Sequence, residues 1–219
     1  MKVIIEHLDN EIFDWSYIEY RHISSFVGKK NLIFTNLERT EDGQNKRIKG
    51  YEKLNDLGEL KDKNIKELKS EIEKKYGKIC LLDPKAKKLL TPKDKKEFGV
   101  FLFGGILGDN PPRGRTEKAF GDLFDTNSKR NLGNIQMATN TAVLVTQKII
   151  DEEIAFEKLD FVDEIEIILD EDADEKQNTE NKPRTYSQIL PYRYLVIDGK
   201  PILPNGLIEY LKEMDEWLI

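Results

Sequence analysis

The stretch VFLFGGILGD, residues 100–109, constrains the fold of this 219-residue chain more than any other part of it. An apolar run of this kind, bounded by glycines, is typical of a buried strand in a parallel sheet. Ligands bind at the carboxyl ends of such strands, and glycines there let the backbone approach a ligand closely. The same glycine pattern also occurs in ordinary structural turns, so the stretch alone leaves both interpretations open.

Strand and helix patterns alternate along the first three-quarters of the chain. This alternation predicts an α/β fold with a mostly parallel sheet covered by helices on both faces. Strands are predicted in KVIIEHL, NLIFTNL, KICLLDP and GVFLFGG, and helices over residues 11–27, 55–76 and 139–153. The polar segment 38–50 is predicted to be a loop. Near the C-terminus, FVDEIEIILD is a further strand candidate, and Asp198-Gly199 is a hairpin signal followed by a short closing helix.

Charge and composition divide the chain into three predicted parts. Residues 1–169 form the main domain, and residues 184–219 form a C-terminal extension that packs on it. Between them, residues 170–183 are acidic and nearly devoid of apolar side chains, which predicts a mobile loop.

The same inventory limits the classes of function. One cysteine, Cys80, excludes an internal disulfide, and two histidines are too few for a zinc cluster, so no metal site is predicted. No apolar run is long enough to span a bilayer, and the N-terminus lacks a signal peptide pattern. We therefore expect a soluble, cytoplasmic protein without a membrane partner. The net charge of −6 favours a cationic partner over a polyanion.

A second loop, SKRNLGNIQMATN at residues 128–140, precedes the third predicted helix. Leu132, Gly133, Ile135 and Met137 offer the small apolar surface that an adenine ring needs, and Gln136 can bind the edge of the ring. Taken alone, the loop is equally well explained as a capped helix start with apolar contacts to the core.

Three segments carry a resemblance to a known family. GGILGDNPPRGRT (104–116), RNLGNIQMATNTAVLVTQKIIDE (130–152) and IIEHLDNEIFDWSYIEY (4–20) together resemble the SPOUT superfamily of methyltransferases. Within it, they are most similar to the branch that contains an arginine methyltransferase of a small-subunit ribosomal protein. The resemblance implies a trefoil knot in the C-terminal half of the domain, S-adenosylmethionine as cofactor and a basic protein as substrate.

In this superfamily the cofactor is held by the loops of the knot. Carried over to this chain, those loops imply that the cofactor-binding residues are Leu82, Asp83, Pro84, Gly104, Gly105, Leu107, Gly108, Asp109, Arg130, Leu132, Gly133, Ile135, Gln136 and Met137.

A guanidinium acceptor is protonated at ordinary pH, so its methylation requires carboxylates that hold it and share the proton that is lost. Glu6, Glu19 and Asp109 are the candidates for this catalytic role. Two alternatives stay open at this stage: an RNA methyltransferase acting on tRNA or rRNA, which lysines between Lys85 and Lys96 favour, and a non-catalytic binding module in ribosome assembly.

Overall fold

A six-stranded parallel sheet forms the centre of the protein, for which a computed structural model describes residues 1–41, 43–105, 119–120, 122–170 and 186–216. The prediction of a mostly parallel sheet is therefore confirmed. All strand pairs in it run parallel. From one edge to the other, the strands are β5 (Glu59–Leu60), β2 (Leu32–Thr35), β1 (Lys2–His7), β7 (Val100–Gly105), β6 (Ile79–Leu82) and β8 (Lys129–Arg130).

Four α-helices are described: α1 (Asp14–Val27), α2 (Ile65–Tyr76), α3 (Thr139–Ile150) and α4 (Leu207–Glu216). The first ends at Gly28, whose φ of 82° is readily adopted only by glycine. The second begins after Asn64, whose side chain accepts a hydrogen bond from the backbone N–H of Glu67 (3.2 Å). Short 3₁₀ helices occur at Lys29–Asn31, Tyr51–Leu54, Pro92–Lys96, Thr126–Ser128 and Phe156–Lys158.

Side chains alternate across the sheet, so each strand contributes to two separate cores. Val3 and Ile5 of β1 belong to a cluster that includes residues of α1 and α3. Ile4, between them, belongs to a cluster that includes Leu68 and Ile72 of α2. Helices therefore cover both faces, as predicted from the sequence.

A second, antiparallel sheet lies beyond the parallel one in sequence. It contains β9 (Asp160–Asp170), β10 (Tyr186–Ile197) and β11 (Lys200–Pro201), with the turn between the last two at Asp198-Gly199 as predicted. Its buried residues, including Leu190 and Tyr194, share a core with Ile18 of α1 and with α4. The C-terminal part thus packs on α1, while the predicted boundary of the domain at residue 169 stays a prediction.

Two predictions of local structure were wrong. The segment predicted to be a loop contains an antiparallel hairpin of β3 (Glu38–Glu41) and β4 (Gln44–Arg47), whose polar side chains hid the strand pattern. The second helix begins at Ile65 rather than at residue 55, because Glu59 and Leu60 form the edge strand β5.

Two further predictions fall on residues outside those that the structure describes. One predicted loop of the knot runs into residues 106–118, and of the predicted acidic loop 170–183 only Asp170, the last residue of β9, is described. Both stay predictions. Within the described residues, no helix is long and apolar enough to cross a membrane, and no group of three or more His, Cys, Asp or Glu could hold a metal ion.

Candidate active site

The carboxyl ends of β1, β2 and β7 bring three sequence-distant residues into one row. Glu6 of β1 pairs in register with Thr35 of β2 on one side and with Gly104 of β7 on the other. Glycine has no side chain, so the row carries none on the β7 side of Glu6. The predicted catalytic carboxylate therefore lies beside the glycines of the predicted cofactor loop.

The Glu6 carboxylate is almost completely buried, at 3% exposure. Its Oε2 atom accepts two hydrogen bonds, from Thr35 Oγ1 (2.6 Å) and from the backbone N–H of Ile65 (2.8 Å), the first residue of α2. Burial raises the pKa of Glu6 to about 7, although these two bonds and the positive charge of Arg39 lower it. A carboxyl group with this pKa can both release and accept a proton near neutral pH.

Arg39 fixes the strand ends around this carboxylate. Its guanidinium donates to the backbone oxygens of His7 (3.1 Å), Asp9 (3.0 Å) and Asn36. The side chain of Asn36 also donates to the His7 oxygen (2.7 Å), and Asn36 has a φ of 65°, which asparagine tolerates better than most residues. These contacts join the end of β1 to the end of β2.

His7 points to the opposite face of the sheet, toward α1. Its Nε2 atom lies 3.0 Å from the backbone oxygen of Glu11 and its Nδ1 atom lies 2.8 Å from the Tyr20 hydroxyl. Burial lowers the pKa of His7 to about 4, so the ring is neutral. An oxygen acceptor requires the proton on Nε2, which leaves Nδ1 to accept from Tyr20. His7 is thus held as part of the structure.

Tyr20 also explains why residue 105 is a glycine. A Cβ at Gly105 would lie 2.3 Å from the Tyr20 hydroxyl and 2.5 Å from Ile5 Cγ2, closer than carbon atoms tolerate. The His7–Tyr20 pair therefore lies directly against the start of the glycine-rich loop. This close contact sets the position of the backbone from which that loop leaves the sheet.

Two of the three predicted cofactor loops are joined by backbone hydrogen bonds. The N–H of Asp83 donates to the oxygen of Arg130 (2.9 Å), and the N–H of Asn131 donates to the oxygen of Lys88 (2.8 Å). The side chain of Asp83 accepts from the N–H of Lys85 (2.9 Å) and so shapes its own turn. The exposed Pro84 follows directly in this turn.

Arg130, predicted to bind the cofactor, lies in an internal ion cluster instead of an open pocket. Its side chain is 6% exposed and contacts Asp94 Oδ1 (2.7 Å) and Glu97 Oε2 (3.1 Å). It also donates to the backbone oxygens of Asn127 (2.7 Å) and Lys129 (2.9 Å). These contacts occupy the guanidinium and favour a structural role.

The second loop presents a partly open apolar surface. Ile135 is 38% exposed, while Leu132 is buried and Met137 is partly buried against the core. Gly133 has a φ of 84°, and the backbone oxygen of Gln136 accepts from the N–H of Arg193 (2.8 Å). An apolar surface on a fixed backbone fits one face of an adenine ring.

Glu19, the second predicted catalytic residue, lies elsewhere, at the start of α3. Its buried carboxylate accepts from Trp15 Nε1 (2.9 Å) and from the backbone N–H groups of Thr139 and Asn140. Burial raises its pKa to about 7, against the lowering effect of these three hydrogen bonds. Because the first N–H groups of a helix have no partners within the helix, Glu19 acts as the cap that α3 does not supply itself.

The remaining predicted residues, Leu107, Gly108 and Asp109, lie outside the described part of the chain. Sequence reasoning missed Thr35 and Arg39, which lie close to Glu6, and the capping role of Glu19. The register of β1 and β2 brings Thr35 to Glu6, and the sequence alone does not give that register. Nothing in the sequence of the hairpin indicated Arg39.

Comparisons with known proteins give the family of the chain. Residues 2–216 match the family model described as protein arginine N-methyltransferase SFM1-like. The chain is 38% identical over 218 residues to protein arginine N-methyltransferase SFM1 of Saccharomyces cerevisiae, and the match covers 97% of this chain and 95% of the yeast protein.

Solved structures give the same result. The yeast arginine methyltransferase SFM1 complexed with SAM matches with a TM-score of 0.75 and 35% identity, over 98% of this chain and 91% of that one. Its complex with SAH matches with a TM-score of 0.74 and 35% identity, over 96% and 94%. A dual-specific Trm10 from Thermococcus kodakaraensis shares the fold, with a TM-score of 0.50 at 18% identity, over 72% of this chain and 96% of that one.

The predicted family, enzyme class and fold are confirmed by these matches, and the predicted cofactor is the ligand bound in the yeast structure. The alternative of a non-catalytic module loses its support. The chain belongs to the SFM1-like family of protein arginine N-methyltransferases.

Proposed function

We propose that this protein transfers a methyl group from S-adenosylmethionine to an arginine guanidinium of a basic protein, with a small-subunit ribosomal protein as the expected substrate. The observation that carries the proposal is the Glu6 carboxylate, buried at the carboxyl edge of the sheet beside Gly104, with its pKa raised to about 7. The family of the chain and the net charge of −6 support a cationic acceptor.

The described residues fit the cofactor in their chemistry. Gly133, Ile135 and Met137 supply an apolar surface, and Gly104 lets the backbone at the end of β7 come close to a ligand. When bound, S-adenosylmethionine supplies an electrophilic methyl group on a sulfonium. We assign Leu82, Asp83, Gly104, Leu132, Gly133, Ile135 and Met137 to this surface, with Leu107, Gly108 and Asp109 as predicted members.

In this proposal, Glu6 acts on the acceptor. Both of its described hydrogen bonds end on Oε2, so Oε1 is the atom that we expect to face the guanidinium. The ionised carboxylate holds the cation and takes the proton that the nitrogen loses as it gains the methyl group, while the carbon–sulfur bond breaks and the sulfonium becomes a neutral thioether. Arg39, fixed by backbone oxygens, keeps the strand ends in place and favours the ionised form of Glu6.

Glu19 takes a positioning role. By capping α3, it fixes the point where the second cofactor loop ends and the helix starts. Because Trp15 and the two α3 amides already bind its carboxylate, we assign it no contact with the acceptor.

The test is methylation of ribosomal fractions by the purified protein with S-adenosylmethionine labelled in its methyl group. After the reaction, protein and RNA are separated and the protein is hydrolysed to amino acids. We expect the label in methylarginine. Label found only in RNA would overturn the choice of acceptor and favour the RNA methyltransferase alternative, which the exposed lysines between Lys85 and Lys96 support.

Glu6→Gln is the variant to compare in this assay, with Glu157→Gln as its control. Glu157 is exposed and lies in a short 3₁₀ helix after α3. A loss of labelling in the first variant alone assigns the chemistry to the strand-end carboxylate, whereas equal labelling in both contradicts that assignment.

A further inference from the structure

One strongly charged surface takes no part in the proposed chemistry. It lies on the segment that connects β6 to β7 in the sequence, and we name it the lysine patch. All six of its lysines are exposed, and the one acidic residue within the same twelve positions, Asp94, is buried. The members of the patch are Lys85, Lys87, Lys88, Lys93, Lys95 and Lys96.

The fold separates the charges of this region by depth. Asp94 points inward, where it binds Arg130 Nε (2.9 Å) and the N–H of Thr91 (2.8 Å). Glu97 also binds Arg130, at 3.1 Å. Arg130 and Lys78 bind these two carboxylates, so within the described residues neither Asp94 nor Glu97 forms an ion pair with a lysine of the patch.

The pairing of individual lysines is uneven. Lys95 pairs with Glu153 (2.9 Å), whereas Lys88 donates to a neutral amide oxygen, Asn127 Oδ1 (2.9 Å). Lys87, Lys93 and Lys96 form no ion pair with any residue in the described ranges. An overall acidic protein thus carries a local surface with uncompensated positive charge.

The two halves of the lysine patch, residues 85–88 and 93–96, are held together. Arg130 contacts Asp94 in the 3₁₀ helix Pro92–Lys96 and donates to the backbone oxygen of Asn127 (2.7 Å), while the side chain of Asn127 binds Lys88. Residue 130 also accepts from the N–H of Asp83 in the first cofactor loop. The patch is consequently fixed next to the proposed cofactor surface.

We propose that the lysine patch binds the phosphate backbone of RNA and so docks the enzyme on a ribonucleoprotein that presents the acceptor arginine. Lysine ammonium groups bind phosphates as point charges. The segment contains no aromatic or arginine side chain that could stack on or read bases, so binding without sequence preference is expected. The link to methylation rests on the proposed function, whereas the binding of RNA does not.

The first experiment measures binding of the full chain to a fluorescent RNA duplex by anisotropy, at several salt concentrations. The patch variant is Lys87→Glu, Lys93→Glu and Lys96→Glu together. The control is Lys63→Glu, Lys66→Glu and Lys74→Glu, three exposed lysines in or next to α2. Both triples change the net charge equally, and melting curves verify that both variants fold.

For the wild type we expect log K to fall with log salt with a slope of about −3. Each phosphate contact contributes about −0.9, and we count one contact for each of the three lysines without an ion pair among the described residues, Lys87, Lys93 and Lys96. The patch variant should bind at least about tenfold more weakly with a slope near zero, while the control stays within about twofold of the wild type. Equal weakening in both triples would overturn the proposal, because it would reduce the effect to bulk charge. Competition by polyglutamate as strong as that by unlabelled RNA would overturn the assignment to RNA.

A second experiment connects the patch to catalysis. The patch variant and the control triple are compared on the same acceptor protein, free and assembled with its RNA. Docking is supported if the patch variant, but not the control triple, has a higher KM than the wild type for the assembled substrate and an unchanged KM for the free protein. The same KM for wild type and patch variant on the assembled substrate would contradict it. If the wild-type enzyme methylates neither the free nor the assembled acceptor protein, the proposed function fails. The RNA titration then still decides whether the lysine patch binds RNA.

Discussion

Two buried glutamates with the same pKa, about 7, have different surroundings in this protein. Glu6, at the strand end, has a hydroxyl donor, one helix amide and the positive charge of Arg39. Glu19, at the entry of α3, has an indole and two helix amides, and no cation contributes to its pKa. Burial is the main cause of the raised pKa in both, so a raised pKa alone does not distinguish a reacting group from a structural one.

The difference lies in what each carboxylate is free to do. The donors around Glu19 are the indole of Trp15 and two backbone amides of α3, so its carboxylate is occupied in fixing the start of that helix. Glu6 receives both described bonds on one oxygen and lies next to a glycine. The comparison predicts that changes at Glu19 act on stability and changes at Glu6 act on methyl transfer.

The largest effect is expected from Glu19→Ala. The substitution leaves the N–H groups of Trp15, Thr139 and Asn140 without an acceptor in a buried place, which costs roughly 3–5 kcal/mol. Urea denaturation monitored by circular dichroism measures the free energy of unfolding. Glu6→Ala is the matched comparison, since it removes the acceptor of two donors rather than three; a larger loss there than at Glu19 would reverse the two assignments.

The next effect concerns pH and stability. Both glutamates have folded-state pKa values of about 7, above the ordinary glutamate value of 4.5, so the folded state binds more protons than the unfolded state between these values. Stability from each group is therefore complete below about pH 4.5 and declines as pH rises toward 7, by about 3 kcal/mol per group.

Glutamine variants test this pH dependence, because an amide does not titrate in this range. Glu6→Gln and Glu19→Gln should each flatten the fall in stability between pH 5 and 7. Denaturation at a series of pH values gives the slopes. An unchanged slope in one variant would show that the carboxyl group at that position titrates in the folded protein as it does in the unfolded chain.

Part of this site follows from the sequence, and part does not. The parallel sheet was predictable because its strands are short apolar runs, and Glu6 because it follows the first of them and belongs to the family motif. The partners of Glu6 were not predictable, because Thr35 is 29 residues away and meets it only through the register of β1 and β2. Arg39 lies in a hairpin whose polar, exposed strands look like a loop.

Glu19 shows the opposite limit. The family motif made it a catalytic candidate, but only the packing of α1 against α3 shows that its carboxylate meets the amides of Thr139 and Asn140, about 120 residues away. A carboxylate can accept a hydrogen bond from any nearby donor, and the sequence does not say which donors the fold brings to it.

Enzyme activity also distinguishes the two glutamates. Glu6→Gln should lower kcat about a hundredfold, within the range typical for loss of a general base, with little change in the KM for S-adenosylmethionine. In the wild type, kcat/KM should rise with pH through about 7 as Glu6 ionises, and this rise should be absent in the variant. Glu19→Gln should keep the rise. Loss of the pH dependence in the Glu19 variant would transfer the proton-accepting role to Glu19.

The smallest effect is expected from Thr35→Val, which keeps the shape of the side chain and removes the hydroxyl that donates to Glu6 Oε2 (2.6 Å). Since this hydrogen bond lowers the pKa of Glu6, its loss should raise that pKa and move the rise in kcat/KM to higher pH by about one unit. Thr35→Ser keeps the hydroxyl and should leave the profile in place. Because the substitution does not touch Glu19, a profile that shifts with Thr35 assigns the titration to the strand-end carboxylate, and a profile that ignores it removes Glu6 from the chemistry.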